Sequence, residues 1–265
     1  MLNSVKLLCF IIFLGFLSSF SSISNDTKLL KKNSQKINVI CLDAGHGGKD
    51  PGCHGKNSHE SKIALKLVLA FGQLIESNYP EIKVIYTRKK DVFVDLHERS
   101  AIANRKNADL FISVHCNSHP SSKFQGSETF TMGLHKTNSN LDVAKRENSV
   151  ILQETDYQKN YKGFDPKSPM GHITLSNFQN IYMANSIKLA QKIERQFKKQ
   201  TARTSYGVKQ AGFLVLWETS MPSVLVESGF LTNRTDENYL SSEKGQNEIA
   251  ESLFKAFKQY KEEIE

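Results

Sequence analysis

The chain alternates short apolar runs with amphipathic stretches, and this rhythm begins at Ile37. Ile37–Leu42 (INVICL) is almost continuously apolar, as expected of a strand covered on both faces. A glycine-rich loop follows from Gly45 to Gly55. Ser58 then reads as the N-cap of a helix whose Ile63, Leu67, Ala70, Phe71 and Leu74 fall on one stripe. Further strands are predicted at Lys83–Thr87, Leu110–His115, Ser127–Met132, Phe213–Leu216 and Ser223–Glu227. Ser127–Met132 alternates in the manner of an edge. Helices are predicted over 96–107, 178–199 (long and amphipathic, carrying Ile181, Met183, Ala184, Ile187, Leu189, Ala190 and Ile193) and 249–260. Residues 133–177 break the rhythm. They are polar and charged, contain Pro166 and Pro169, and offer one helical pattern over 141–154 within an otherwise loop-like insertion.

Strands alternating with helices predict an α/β fold: one domain over 37–262 with a mostly parallel or mixed sheet and helices on both faces. Ligands of such sheets bind beyond the carboxyl ends of the strands. Four polar groups from distant parts of the chain are predicted at that edge. His46 follows the first strand, Glu60 opens the next helix, and His115 and Glu227 end the LFISVH and SVLVE strands. Two imidazoles and a carboxylate are a common ligand set for catalytic zinc, leaving a position for water. A carboxylate off the metal then serves proton transfer. His46, Glu60 and His115 fit the ligand role and Glu227 the base. Each alone has an ordinary structural reading; their joint placement is what points to a site.

Composition narrows the rest. With 39% hydrophobic and 23% charged residues in 265, the chain is globular. Residues 1–24 have the layout of a secretory leader, with Lys6, an apolar run from Leu7 to Phe20, then serines. That run is short of the ~20 residues that span a bilayer. Residues 25–36 read as a polar linker. Cleavage removes Cys9 and leaves Cys41, Cys53 and Cys116, an odd number that argues against a disulfide framework. The formal charge of +8 becomes +7 without Lys6. A basic exported surface suits acidic polymers. No basic-aromatic module suggests nucleic acid, and no later stretch is apolar enough to hold the mature chain in a membrane. A phosphate loop is excluded because Lys49 is followed by Asp50 where the motif needs Ser or Thr. His59-Glu60 is not the metalloprotease helix, since position 63 is Ile63.

LDAGHGGKDPG (42–52), Glu60, TRKKDVFVDLHERSAIAN (87–104), SVHCNS (113–118) and VLVESGFLTN (224–233) together resemble the zinc-dependent N-acetylmuramoyl-L-alanine amidases, over about 37–260. The resemblance implies a largely six-stranded α/β domain, one Zn²⁺ on His46, Glu60 and His115, and Glu227 as catalytic carboxylate. The reaction it implies is hydrolysis of the amide between N-acetylmuramic acid and L-alanine in peptidoglycan, in the periplasm or cell envelope, for wall remodelling or daughter-cell separation. Asn117 and Arg99 are candidates for substrate binding or ligand orientation, Arg99 equally for a structural ion pair. Similar amidases of the cell-division type carry a helix that covers the active site and places a glutamate on the metal. Leu141–Glu154 is the candidate helix here, with Glu147 or Glu154 the candidate blocking ligand and an envelope activator the implied partner. The alternative for that segment is a solvated surface helix. The rival functions are an exported zinc peptidase acting on stem peptides and a non-catalytic wall-binding regulator on the same fold.

Overall fold

The computed structural model describes residues 36–176 and 181–265. The expected leader and nearly all of the linker lie outside the described residues, as does the start of the helix predicted from Phe178. Among the described residues no helix is long and apolar enough to cross a membrane.

Six strands form one mixed sheet in the order β2-β1-β3-β6-β4-β5. They are β1 (Val39–Ala44), β2 (Lys83–Tyr86), β3 (Leu110–Asn117), β4 (Ser127–Met132), β5 (Ser205–Ala211) and β6 (Ser223–Phe230). β2, β1, β3 and β6 are parallel, while β4 runs antiparallel to β6 and parallel to β5. The helices are α1 (Glu60–Asn78), α2 (Leu96–Arg105), α3 (Asn138–Asn148), α4 (Pro169–Ser176), α5 (Met183–Thr201), α6 (Arg234–Ser241) and α7 (Glu243–Ile264), apart from short turns.

Successive strand residues point to opposite faces, and the two faces bury different cores. Ile40, Leu42, Ile112, Val114, Val224 and Val226 pack with α1, α5 and α7 through Leu67, Phe71, Ile193, Phe197, Leu253 and Phe257. On the other face Cys41, Phe111, Phe130 and Leu225 pack under Leu96 and Ala103 of α2 and under the insertion, through Val143, Ala144, Val150, Ile151, Tyr161 and Leu175. The insertion that reads as polar and loop-like therefore supplies much of the second core.

Four local expectations are corrected. Phe213–Leu216 is not a strand: Leu214–Trp217 is a helical turn, and the strand is Ser205–Ala211. A short, wholly buried apolar run has no period that separates strand from helix, whereas polar SYGVKQA pairs as the real edge beside β4. β4 consequently lies inside the sheet with all six residues buried. Ser58 does not cap α1. His59 is its N-cap residue, while Ser58 Oγ donates to Glu237 at 2.9 Å. Ile181, expected within the long amphipathic helix, lies ahead of the first turn of α5 and is 89% exposed.

Candidate metal centre and active site

His46, Glu60, His115 and Glu147 each bring one donor atom to a common point, all within 4.8 Å of one another. His46 stands just beyond β1 and His115 near the end of β3, on the face covered by α2 and the insertion. Glu60 is the first residue of α1 and Glu147 the penultimate residue of α3. His46 Nε2 lies 3.1 Å from Glu60 Oε1 and 3.1 Å from Glu147 Oε2. His115 Nδ1 lies 3.0 Å and 3.1 Å from the same two oxygens.

The partners of the remaining ring atoms fix what the cluster presents. Asp50 Oδ2 accepts from His46 Nδ1 at 2.6 Å, so the proton of a neutral ring sits on Nδ1 and Nε2 carries a lone pair. Ser113 Oγ donates to Asp43 Oδ2 at 2.6 Å, so it accepts from His115 Nε2 at 3.1 Å and Nδ1 carries the lone pair. Both lone pairs face carboxylate oxygens, and His46 Nε2 and Glu147 Oε2 are buried without a hydrogen-bond partner. Lone pairs confronting carboxylates repel unless a cation lies between them. Without one, the rings themselves must take protons. Burial opposes this, yet Glu147 and Glu60 outweigh burial and lift His115 to about 9. Glu60, chiefly, likewise raises His46 against burial. Four of the donor-to-donor separations are 3.0–3.1 Å and none exceeds 4.8 Å, a spacing that one ion with bonds of about 2.0–2.2 Å can span. Donor set, spacing and orphaned atoms all fit one zinc ion.

The backbone is shaped around this cluster. His46 itself has φ 58°, a left-handed conformation that strains a non-glycine residue. Gly52 has φ 68°, and a Cβ there would stand 2.6 Å from Glu60 Oε2 and 2.7 Å from the His46 ring. Glu60 is held from both oxygens, accepting from Cys116 N at 2.9 Å and Cys53 N at 2.8 Å. Cys41, Cys53 and Cys116 are free thiols.

Glu227 pairs in register with His115 across β3 and β6, so the two side chains share a face. It is fully buried, and its Oε2 has no partner. Burial and the neighbouring Glu147 hold its carboxyl well above the ordinary range, with Arg146 partly offsetting them.

The weaker candidates separate. Asn117 is at the site: Nδ2 donates to Glu128 Oε1 at 2.7 Å and Oδ1 accepts from Arg146 Nη2 at 2.9 Å. Arg99 lies beneath it, 2% exposed, donating to Asp43 Oδ1 (2.8 Å) and the carbonyls of Ala44 (2.6 Å) and His46 (2.8 Å). It is placed to hold the His46 loop, not to touch substrate. Glu147 is in the cluster. Glu154 is not: its oxygens accept from Leu96 N at 2.8 Å and Tyr161 Oη at 2.6 Å, where it fastens the insertion to the start of α2. Asp95, His97 and Glu154 form a second carboxylate-imidazole group there.

Sequence reasoning missed Arg146. Its guanidinium donates to Asn117 Oδ1, to Ser118 O at 3.3 Å, to Glu147 Oε1 at 3.0 Å and to Glu227 Oε1 at 3.4 Å. Adjacent residues of α3 thus meet the cluster and the catalytic candidate. The available signal was its position beside a suspected ligand. Two cavities, of about 420 and 580 Å³, flank this point, and Arg146 and Ser118 line both.

A model of the family described as N-acetylmuramoyl-L-alanine amidase matches residues 40–259. The chain is 33% identical over 226 residues to N-acetylmuramoyl-L-alanine amidase AmiC of Escherichia coli O6:H1, covering 84% of this chain and 52% of that protein. It thus spans about half the length of that relative. It is 30% identical over 225 residues to AmiA of Escherichia coli K12, covering 84% of this chain and 75% of AmiA. Among solved structures, the catalytic domain of CwlV, an N-acetylmuramoyl-L-alanine amidase from Bacillus (Paenibacillus) polymyxa var. colistinus, matches with a TM-score of 0.59 at 26% identity. That match covers 85% of this chain and 98% of the CwlV domain.

Proposed function

The chain belongs to the N-acetylmuramoyl-L-alanine amidase family, and from that premise we propose that it hydrolyses the amide joining N-acetylmuramic acid to L-alanine in peptidoglycan. His46, Glu60 and His115 would hold one zinc ion, which when bound supplies Lewis acidity and acidifies water. Glu227, on the strand beside His115, takes the proton from the attacking water and delivers it to the departing alanine nitrogen. The Asp50–His46 and Ser113–His115 hydrogen bonds fix the tautomers that direct both lone pairs inward. Asp43 and Arg99 hold the strand and loop beneath them. The observation that carries this reading is the convergence of His46, Glu60 and His115 beside a buried, half-unpartnered Glu227.

The rival readings separate by product. An amidase releases intact stem peptide from intact glycan, a stem peptidase cuts within the peptide, and a regulator cuts nothing. Digestion of purified sacculi by the mature protein, with and without a chelator, followed by product mass analysis, decides among them. Fragments cut inside the stem, or no zinc-dependent release once α3 is unlocked, would defeat the proposal. The leader pattern supports export to the periplasm or envelope, where daughter-cell separation or wall remodelling would be the task. N-terminal sequencing of the secreted chain tests the export step.

The same site supports an autoinhibited resting state. Glu147 takes the position that water or substrate would need, and Arg146 lies against Glu227, so α3 covers ligand position and base together. Activation would require a partner in the envelope that draws α3 away.

A further inference from the structure

The larger cavity has a composition that the hydrolytic step does not use. It runs from Asn117 and Ser118 over Glu128 to Tyr206 and Lys209, with Phe124 and Phe230 along its wall and Arg146 of α3 at its inner end. Glu128 on β4 is in register with Glu227 on β6, on the same face of the sheet. It is only 3% exposed. One oxygen accepts from Asn117, and the other holds the ammonium of Lys209 from β5. Lys209 also lies over the ring of Tyr206, 5.4 Å from its centroid. The edge thus reads in strand order: metal-binding imidazole on β3, proton-transfer carboxylate on β6, carboxylate on β4, ammonium on β5.

That order assigns direction to the substrate. The proposed base must lie against the leaving nitrogen when it returns the proton, so the leaving peptide extends from Glu227 away from the His115 side, across β4. Adjacent strands lie about 4.8 Å apart, and one extended residue spans about 3.6 Å. A carboxylate carried one residue beyond the scissile amide therefore arrives beside Glu128 on β4, where the side chain of Lys209 brings its ammonium in from β5. In a stem peptide that residue is glutamate linked through its side chain, which leaves its α-carboxylate free. An ammonium has three donors, of which Glu128 engages one, and Glu128 is itself fixed by Asn117.

We propose that this groove is the stem-peptide subsite, in which Lys209, positioned by Glu128 and Asn117, binds the free α-carboxylate of the second stem residue. The proposal rests on the amidase reading of the neighbouring cluster. It makes Lys209 a specificity determinant that discriminates stems with a free carboxylate from stems in which that carboxylate is amidated.

The test uses two substrates that differ only there, N-acetylmuramoyl-L-alanyl-D-glutamate and N-acetylmuramoyl-L-alanyl-D-isoglutamine. It is run with the zinc-loaded Arg146→Ala/Glu147→Ala protein, in which α3 holds neither Glu227 nor the cluster. The ratio of kcat/KM for acid over amide should fall roughly ten- to a hundredfold on adding Lys209→Met, the effect of losing one charged hydrogen bond. Lys209→Arg should preserve it. A ratio unmoved by Lys209→Met, or a parent protein indifferent to amidation, overturns the proposal. Titration of the same proteins with free L-alanyl-D-glutamate and L-alanyl-D-isoglutamine, followed by NMR shifts of Tyr206 and Phe124, gives a readout independent of hydrolysis. If neither substrate is cut, that arm alone decides the subsite. Binding of the acid that Lys209→Met abolishes would then sustain it while the amidase reading fails, and absence of binding would overturn it.

Discussion

If α3 is the element that keeps the site shut, releasing its two polar anchors should raise wall hydrolysis while zinc stays bound. Glu147→Ala removes the approach of Oε2 to His46 and His115 at 3.1 Å each, the point at which its carboxylate meets the cluster. One interaction of a charged group contributes about 1.5–3 kcal/mol, so losing the carboxylate at the zinc-bound cluster should raise the open-to-closed ratio roughly ten- to a hundredfold. Arg146→Ala removes the bonds to Asn117 and Ser118 together with the guanidinium beside Glu227. The two effects overlap, because Arg146 and Glu147 also bond each other, so the double variant should gain less than the product of the single gains. Buried Val143 and Ala144 still dock the helix, and any gain saturates once the open form predominates. The substitutions suit this test better than deletion of 139–160, which would also strip buried Val150 and Ile151 from the core. The assay is release of dye-labelled fragments from sacculi, with zinc per chain measured on the same samples. Full zinc content with no rise in rate in any of the three variants would refute the claim that α3 inhibits.

Glu227→Gln in the opened protein should lower hydrolysis roughly 10²- to 10⁴-fold, the usual contribution of a general base, with zinc content unchanged; equal loss of metal would make Glu227 a ligand instead. Asp43→Asn leaves the buried Arg99 guanidinium without its carboxylate partner and should cost about 3 kcal/mol, lowering the melting temperature by about 10 °C in a calorimetric scan. Gly52→Ala forces a left-handed φ on alanine and drives its Cβ toward Glu60 and His46; zinc affinity in a competition titration should fall at least roughly tenfold. Chelated protein should show a pH dependence that zinc-bound protein lacks. Without a cation, a protonated His115 must balance Glu147 and Glu60. Because its pKa is raised from the ordinary value near 6.5 to about 9, the stability this contributes is complete below about pH 6.5. It is lost as pH rises toward 9, so the melting-temperature gap between zinc-bound and chelated protein should widen over that window. A constant gap would contradict it.

How each residue acquires its role decides whether the amino-acid pattern discloses it. His46, His115 and Glu227 were legible because a polar group at the end of an apolar strand has one place to go in an α/β sheet, the carboxyl edge. Asp43 and Ser113 were not, although they fix Arg99 and His115, because a polar residue inside an apolar run declares no partner until the strands are in register. β5 was missed and a strand placed on Phe213–Leu216 because burial on all sides erases periodicity, and polar SYGVKQA shows no alternation of its own. The choice between Glu147 and Glu154 is the more instructive case. Seven residues are nearly two turns of α-helix, so on one continuous helix over 141–154 the two carboxylates would lie along a single face and no periodicity argument could separate them. The chain breaks that equivalence by tightening into a 3-10 helix at Ser149–Gln153, whose three residues per turn rotate the residues beyond it. Glu154 then swings to Leu96 and Tyr161 and becomes the fastening of the insertion, while Glu147 stays with the cluster. The tightened turn thus lies between Glu154, fixed to the start of α2, and Asn148, whose side chain accepts from Leu214 N at 2.9 Å, so each end of it has its own anchor.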